Sequence, residues 1–249
     1  MKIIIAPAKK MIIDNDTFEY EQLPKYLDQT EQLLQTMRQL TYSDAKEMWN
    51  CRDKLAEPNY EWLQTMDLKS HLTPALLAFS GIQYQYMAPD LFTEPALNYV
   101  RNNLRILSGF YGILRPFDGV VPYRLEMQSK LKLPGHRNLY EFWNSKIYDA
   151  LIDNNSKLII NLASTEYAKT ITTYLKSNQK FITVVFASMV DGKLRTKATL
   201  AKMARGEMVR FLAENNATNI STVKKFNHPD WKYSQEASTD DQIVFIYQK

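Results

Sequence analysis

The chain has 249 residues, with 31 Lys and Arg against 27 Asp and Glu, 45% hydrophobic residues and one cysteine. That length and composition fit a single domain able to bury a proper core. The lone Cys51 excludes a disulfide framework and a Cys-x-x-Cys redox pair, which suits a reducing cytoplasm. No window approaches the roughly 20 apolar residues of a transmembrane helix, and the N-terminal apolar run is too short for a signal peptide. A soluble cytoplasmic protein with no membrane partner is therefore expected. Net charge is +4 but uneven: residues 97–137 carry +5 and residues 193–210 another +5, leaving −6 elsewhere. Such concentration points to a phosphate or polyanion site, although solvated helix faces carry similar clusters without function.

Residues 2–5, Lys-Ile-Ile-Ile, read as a buried strand stopped at Pro7. Lys9 and Lys10 then lie on a loop at the strand's carboxyl end, the edge where open α/β sheets bind ligands. Residues 22–66 read as helical, with Leu33, Leu34, Met37 and Leu40 forming one apolar stripe. Thr41 or Ser43 caps a helix running to Trp49, and a short helix follows Pro58 over 59–66. Residues 75–79 read as a strand closed by Ser80-Gly81, 95–102 as a helix behind Thr93, and 104–107 as a strand closed by Ser108-Gly109. One helix is predicted over 139–152, with Phe142, Trp143, Ile147, Tyr148 and Leu151 inward. A strand over 157–162 leads through Ser164-Thr165-Glu166 into a helix reaching Tyr174. Strand 181–186, a hairpin turn at Asp191-Gly192 into 194–197, helix 199–215 and strand 243–247 complete the chain. No linker or repeat divides it, so the expected fold is one α+β (mixed α/β) domain over 1–249, a central mixed sheet flanked by helices.

Residues 104–127 stand apart. Gly109, Gly112, Pro116, Gly119 and Pro122 interrupt any helical or strand period, and Arg105, Arg115 and Arg124 lie between these breaks. That arrangement can present backbone N–H groups and guanidinium groups to an anion; it also fits a rigid crossover with solvated arginines. Gly109-Phe-Tyr-Gly112 is neither a Walker loop nor a dinucleotide fingerprint. Phe110 and Tyr111 would obstruct an RNA-type Gly-x-x-Gly clamp. A helix-hairpin-helix phosphate site is a nearer match, although its glycine spacing differs. His71, His136 and His228 are far apart with no second ligand at helical spacing, so neither a metal nor another cofactor is expected. Lys9, Tyr123, Arg124, Glu126, Ser164 and Glu166 occupy turns or strand ends, where folds place active sites. Ser164 has no nearby histidine, and a helix cap explains it at least as well as a nucleophile.

Ile4-Ile-Ala-Pro-Ala-Lys9, residues 104–127, Asn138-Leu-Tyr-Glu-Phe-Trp143, Ile160-Asn-Leu-Ala-Ser-Thr-Glu-Tyr167 and Ala204-Arg-Gly-Glu-Met-Val-Arg-Phe211 together resemble the YaaA family of peroxide stress proteins, also called UPF0246 or DUF328. The resemblance implies a mixed fold of unusual topology with a basic cleft and a helix-hairpin-helix-like element. It also implies DNA binding and protection against damage linked to intracellular free iron. Ala6 and Lys10 stand where the family's first motif has hydroxyl residues, and Met203 replaces one lysine of a family pair at 202–203. This puts a hydroxyl-dependent reaction at the first loop in doubt and leaves anion binding by Lys9 intact. Lys9, Arg105, Ser108, Gly109, Gly112, Arg115, Tyr123, Arg124, Lys202, Arg205 and Arg210 are the expected DNA- or anion-binding residues, and Lys9, Arg115, Arg124, Lys202 and Arg205 are expected to converge on one concave surface. The first expectation is backbone-dominated, largely non-sequence-specific DNA binding, with any effect on iron indirect. The alternative is an enzyme acting on a phosphorylated or nucleotide-like substrate in the same cleft, with Glu126 or Glu166 as acid or base.

Overall fold

In the computed structural model, which describes residues 1–14, 16–152 and 156–248, the chain opens with β1 (Lys2–Ile5), every residue of it buried. An isoleucine run without alternation is the pattern of a strand covered on both faces. Three helices follow, α1 (Leu27–Arg38), α2 (Tyr42–Trp49) and α3 (Asp53–Thr65). Leu33, Leu34 and Met37 form the buried stripe of α1, and the Thr41 side chain caps α2 by accepting from the Asp44 amide. Pro58 lies inside α3 rather than before it, at the expense of one backbone bond.

Next come β2 (Thr73–Pro74), α4 (Ala75–Ala78), α5 (Ile82–Met87), a 3-10 turn (Pro89–Leu91), α6 (Glu94–Asn103), β3 (Leu104–Ser108), β4 (Gly112–Leu114) and β5 (Gly119–Val120). The chain continues through α7 (Leu139–Trp143), α8 (Lys146–Leu151), β6 (Leu158–Leu162), α9 (Thr165–Thr172), β7 (Lys180–Val190) and β8 (Lys193–Arg195). It closes with α10 (Ala198–Glu214), α11 (Ile220–Lys224), β9 (Trp231–Ser234) and β10 (Gln242–Tyr247).

The main sheet runs β4-β3-β1-β6-β7-β10-β9, with β8 paired to β7. From β3 through β10 neighbouring strands are parallel, while β4 and β9 close the edges antiparallel. This is the mixed sheet expected. From β1 the chain passes to β3 on one side; β6 then takes the other side and β7 and β10 continue outward from it. The order therefore reverses between β1 and β6. In open α/β sheets a crevice forms at the carboxyl ends of the two strands flanking such a reversal.

Three sequence expectations are corrected. Residues 75–78 form a helical turn, not a strand, held by bonds from the Ala75 and Leu76 amides to the Asp118 and Pro116 carbonyls. A short apolar run carries no period that separates the two forms. The helix predicted over 139–152 is two, broken at Asn144, which adopts φ 46. The proposed helix-hairpin-helix is a β-hairpin: Ser108 pairs with Gly112 and Ile106 with Leu114, because β1 supplies β3 with a parallel neighbour. Residues 121–127 do carry a period, of two. Val121, Tyr123, Leu125 and Met127 are buried while Pro122, Arg124 and Glu126 are half-buried.

The buried faces meet in an aromatic cluster. Tyr123 stacks on Phe110 at 4.9 Å and meets Tyr111 edge-on at 5.4 Å, each such pair adding about 0.5–1.5 kcal/mol beyond its area. The Trp143 indole donates to the Gly109 carbonyl at 2.9 Å.

Candidate functional site

A cavity of about 500 Å³ opens at the carboxyl ends of β1 and β6. Its walls come from the loop after β1 (Ala6–Lys10), the segment Ser80–Tyr84, the extended segment Tyr123–Glu126, the β6–α9 junction (Ser164, Glu166, Tyr167), and Lys202 and Arg205 of α10. Each wall is fixed from behind. The Ser80 amide donates to the Lys10 carbonyl at 2.9 Å and Tyr84 Oη to the Ala6 carbonyl at 3.0 Å, so the first loop is held against α5. The extended segment has no strand partner among the described residues. The indole N–H groups of Trp62 and Trp49 donate instead to the carbonyls of Pro122 and Arg124, each at 2.6 Å, answering the demand of buried backbone for partners.

Two glycines set the geometry. A Cβ at Gly109 would lie 2.6 Å from the Leu125 carbonyl oxygen and 2.9 Å from the Glu126 carbonyl carbon. The hairpin turn thus lies flat on the segment carrying Arg124 and Glu126. At Gly206 a Cβ would lie 2.1 Å from the Gln83 carbonyl oxygen. The absent side chain lets α10 approach α5, bringing Arg205 and Gln83 to one cavity.

The charged groups fall into two sets. Lys9 Nζ pairs with Glu126 Oε1 at 2.7 Å, and the exposed lysine makes this a modest surface interaction. Glu166 Oε1 accepts from the Gln128 amide at 3.0 Å. Burial pushes the Glu166 carboxyl above its ordinary pKa, Glu126 adds to the rise and Lys9 opposes it. Burial also lowers the Arg205 guanidinium from its usual value. Among the described residues, the Nε atoms of Arg124 and Arg205 and Nε2 of Gln83 are buried without a hydrogen-bond partner. Beneath the floor, Tyr123 Oη and Ser108 Oγ share a bond of 2.7 Å, and Ser108 Oγ accepts from the Phe110 and Tyr111 amides.

Of the residues singled out in the sequence, Lys9, Tyr123, Arg124, Glu126, Glu166, Lys202 and Arg205 come together here. Others do not. Arg105 and Arg115 line a second cavity of about 260 Å³ that shares no lining residue with the first. Arg105 is 5% exposed and donates to the carbonyls of Leu104 and Arg101. Asp118, in that second cavity, is pushed up from 3.8 to about 6 by burial. Ser108 is fully buried, and Gly112 has φ +74, with its α-carbon facing the Trp143 ring. Both serve packing and turn geometry. Arg210 pairs with Glu214 along α10 at 2.7 Å and lines neither cavity. Of the five residues expected on one concave surface, Lys9, Arg124, Lys202 and Arg205 line this cavity, and Arg115 is the one corrected to another site. Gln83 was missed, since nothing local distinguishes it, buried, from exposed Gln85.

Among the described residues no group of three His, Cys, Asp or Glu is placed to hold a metal ion, and no helix is long and apolar enough to cross a membrane. The cavity is lined by cationic side chains and by two carboxyl groups in different environments. That combination can bind an anion and move a proton beside it.

Comparison with known proteins agrees with the motifs. The family model described as peroxide stress protein YaaA matches residues 1–237. A UPF0246 protein of Lactiplantibacillus plantarum is 61% identical over 248 residues, covering 100% of both chains. One from Pediococcus pentosaceus is 54% identical, covering 99% of this chain and 98% of its own. One from Limosilactobacillus reuteri is 52% identical, covering 98% of each. With matches that run essentially end to end, the chain belongs to the YaaA (UPF0246) family of peroxide stress proteins.

Proposed function

We propose that the cavity between β1 and β6 binds a small phosphorylated anion, and that Glu166 and Glu126 supply acid–base chemistry beside it. One observation carries this reading: Arg124 and Arg205 both line the cavity, and in both Nε is buried without a partner. Leaving such a donor unsatisfied costs about 1–3 kcal/mol, more for a charged group, and an anion bound between them would recover it. The carboxyls divide by environment: burial raises the Glu166 pKa above its ordinary value, and Glu126 is paired with Lys9. Calorimetry with inorganic phosphate, pyrophosphate and ribose 5-phosphate tests the reading. Arg205→Ala should weaken the tightest of them about 10–100-fold, the range for a charge-assisted hydrogen bond. No binding of any of these at millimolar concentration would overturn it.

A second reading, non-sequence-specific DNA binding, has its own support. Residues 189–199, including the β7–β8 turn, are exposed and carry Lys193, Arg195 and Lys197, and exposed Lys202 continues this charge to the cavity rim. A projecting basic hairpin suits contact with phosphate backbone. Replacing Lys193, Arg195 and Lys197 with Ala should reduce the slope of log affinity against log salt by about three contacts. An unchanged slope removes this reading. Protection against iron-linked damage is then an indirect effect, through the DNA or through the product of the cavity chemistry.

A further inference from the structure

The cavity's remaining donor says more about its ligand. Gln83 is 7% exposed, lines the cavity, and among the described residues has no partner for Nε2. The neighbouring phenols do not serve it. Tyr84 Oη donates to the Ala6 carbonyl, and Tyr123 Oη shares a bond with Ser108 Oγ. Tyr84, Tyr123 and Tyr167 all line the cavity. At about 500 Å³ the space holds far more than a phosphate group alone and falls within the range of small-molecule sites. The lining thus combines cationic side chains, three tyrosines, two carboxyl groups, the Ser80 and Ser164 hydroxyls and the Gln83 amide.

We propose, resting on the phosphate reading above, that the ligand is a nucleoside monophosphate-like compound. Its phosphate lies against Arg124 and Arg205, and its planar ring, carrying a carbonyl or ring-nitrogen acceptor, packs on the tyrosines and accepts from Gln83 Nε2. Gln83 is then the residue that distinguishes a base-bearing phosphate from a bare sugar phosphate. A buried amide left unpaired by the wrong ligand gives that discrimination its strength.

The experiment compares ribose 5-phosphate with the four common nucleoside 5′-monophosphates by calorimetry on the full chain. At least one nucleotide should bind at least tenfold more tightly than ribose 5-phosphate. Gln83→Met, of similar volume but without the amide, should reduce that preference about tenfold and leave ribose 5-phosphate affinity unchanged. Arg205→Ala should weaken both classes together. If ribose 5-phosphate binds as tightly as every nucleotide, or if Gln83→Met keeps the preference, the base-reading role is overturned while the phosphate site stands. If nothing phosphorylated binds, both fall. Should Gln83→Met fail to fold, Gln83→Leu with the same readout decides the matter, and circular dichroism checks the fold of each variant.

Discussion

Gly109→Ala separates two explanations of the central Gly-Phe-Tyr-Gly motif. The added methyl would meet three backbone atoms, the Leu125 oxygen at 2.6 Å, the Glu126 carbonyl carbon at 2.9 Å and the Met127 nitrogen at 3.0 Å. Comfortable contact needs about 3.5 Å, so the hairpin and the extended segment must separate by roughly 0.5–1 Å. Overpacking of this kind costs about 2–3 kcal/mol, and the stiffer unfolded chain returns about 0.5–1 kcal/mol. The net loss is about 1–2 kcal/mol, a Tm drop of about 2–8 °C at this chain length. Because the displaced segment carries Arg124 and Glu126, the Lys9–Glu126 pair loosens and anion affinity falls with stability. Gly135→Ala is the control: nothing lies within 4 Å of its added Cβ, and only its own φ of +76 is strained. That variant should leave anion binding unchanged. Urea unfolding and calorimetry on both variants suffice. A Gly109→Ala protein of wild-type stability that has lost only anion binding would refute the packing argument and restore the motif as a phosphate-approach loop.

Asp118 should make stability depend on pH. Its folded pKa, raised from 3.8 to about 6 by burial, means that stability is fully present below pH 4 and lost as pH rises through 6. The change amounts to about 3 kcal/mol. Urea unfolding at pH 4 and pH 7 should show this fall in wild type and a flatter profile in Asp118→Asn; parallel profiles would sink the assignment. Glu166, also raised by burial, has the same sign, so Glu166→Gln should gain stability relative to wild type as pH rises from 4 to 8. It should abolish any turnover while retaining anion binding, and retained turnover would remove Glu166 from the chemistry. Chelation with EDTA should leave Tm unchanged, since no group of three metal-ligating side chains converges among the described residues. A drop of several degrees would reveal a structural metal.

Local chemistry made a good part of this protein legible before any coordinates. An unbroken isoleucine run marked a doubly covered strand, Pro7 marked its end, and Lys9 followed on the loop. Ser164-Thr165-Glu166 marked the junction of β6 with α9, and α10 was placed to within a residue at each end. These are short-range signals, apolar period and turn preference, which a chain carries wherever it folds. The partners of 104–127 were of a different kind. The strand at 104–107 was legible, but its parallel partner β1, about a hundred residues earlier, and its hairpin pairing with β4 were not. Whether Gly109 approaches an anion or a backbone depends on where Leu125 lies. Arg115 and Arg205 looked alike in sequence, yet strand order put one beside Asp118 and the other beside Gln83. The reversal of strand order between β1 and β6 creates the cavity, and the close approach of α10 to α5 at Gly206 brings Arg205 and Gln83 into it. Both follow from packing between distant segments, which no local window of residues contains.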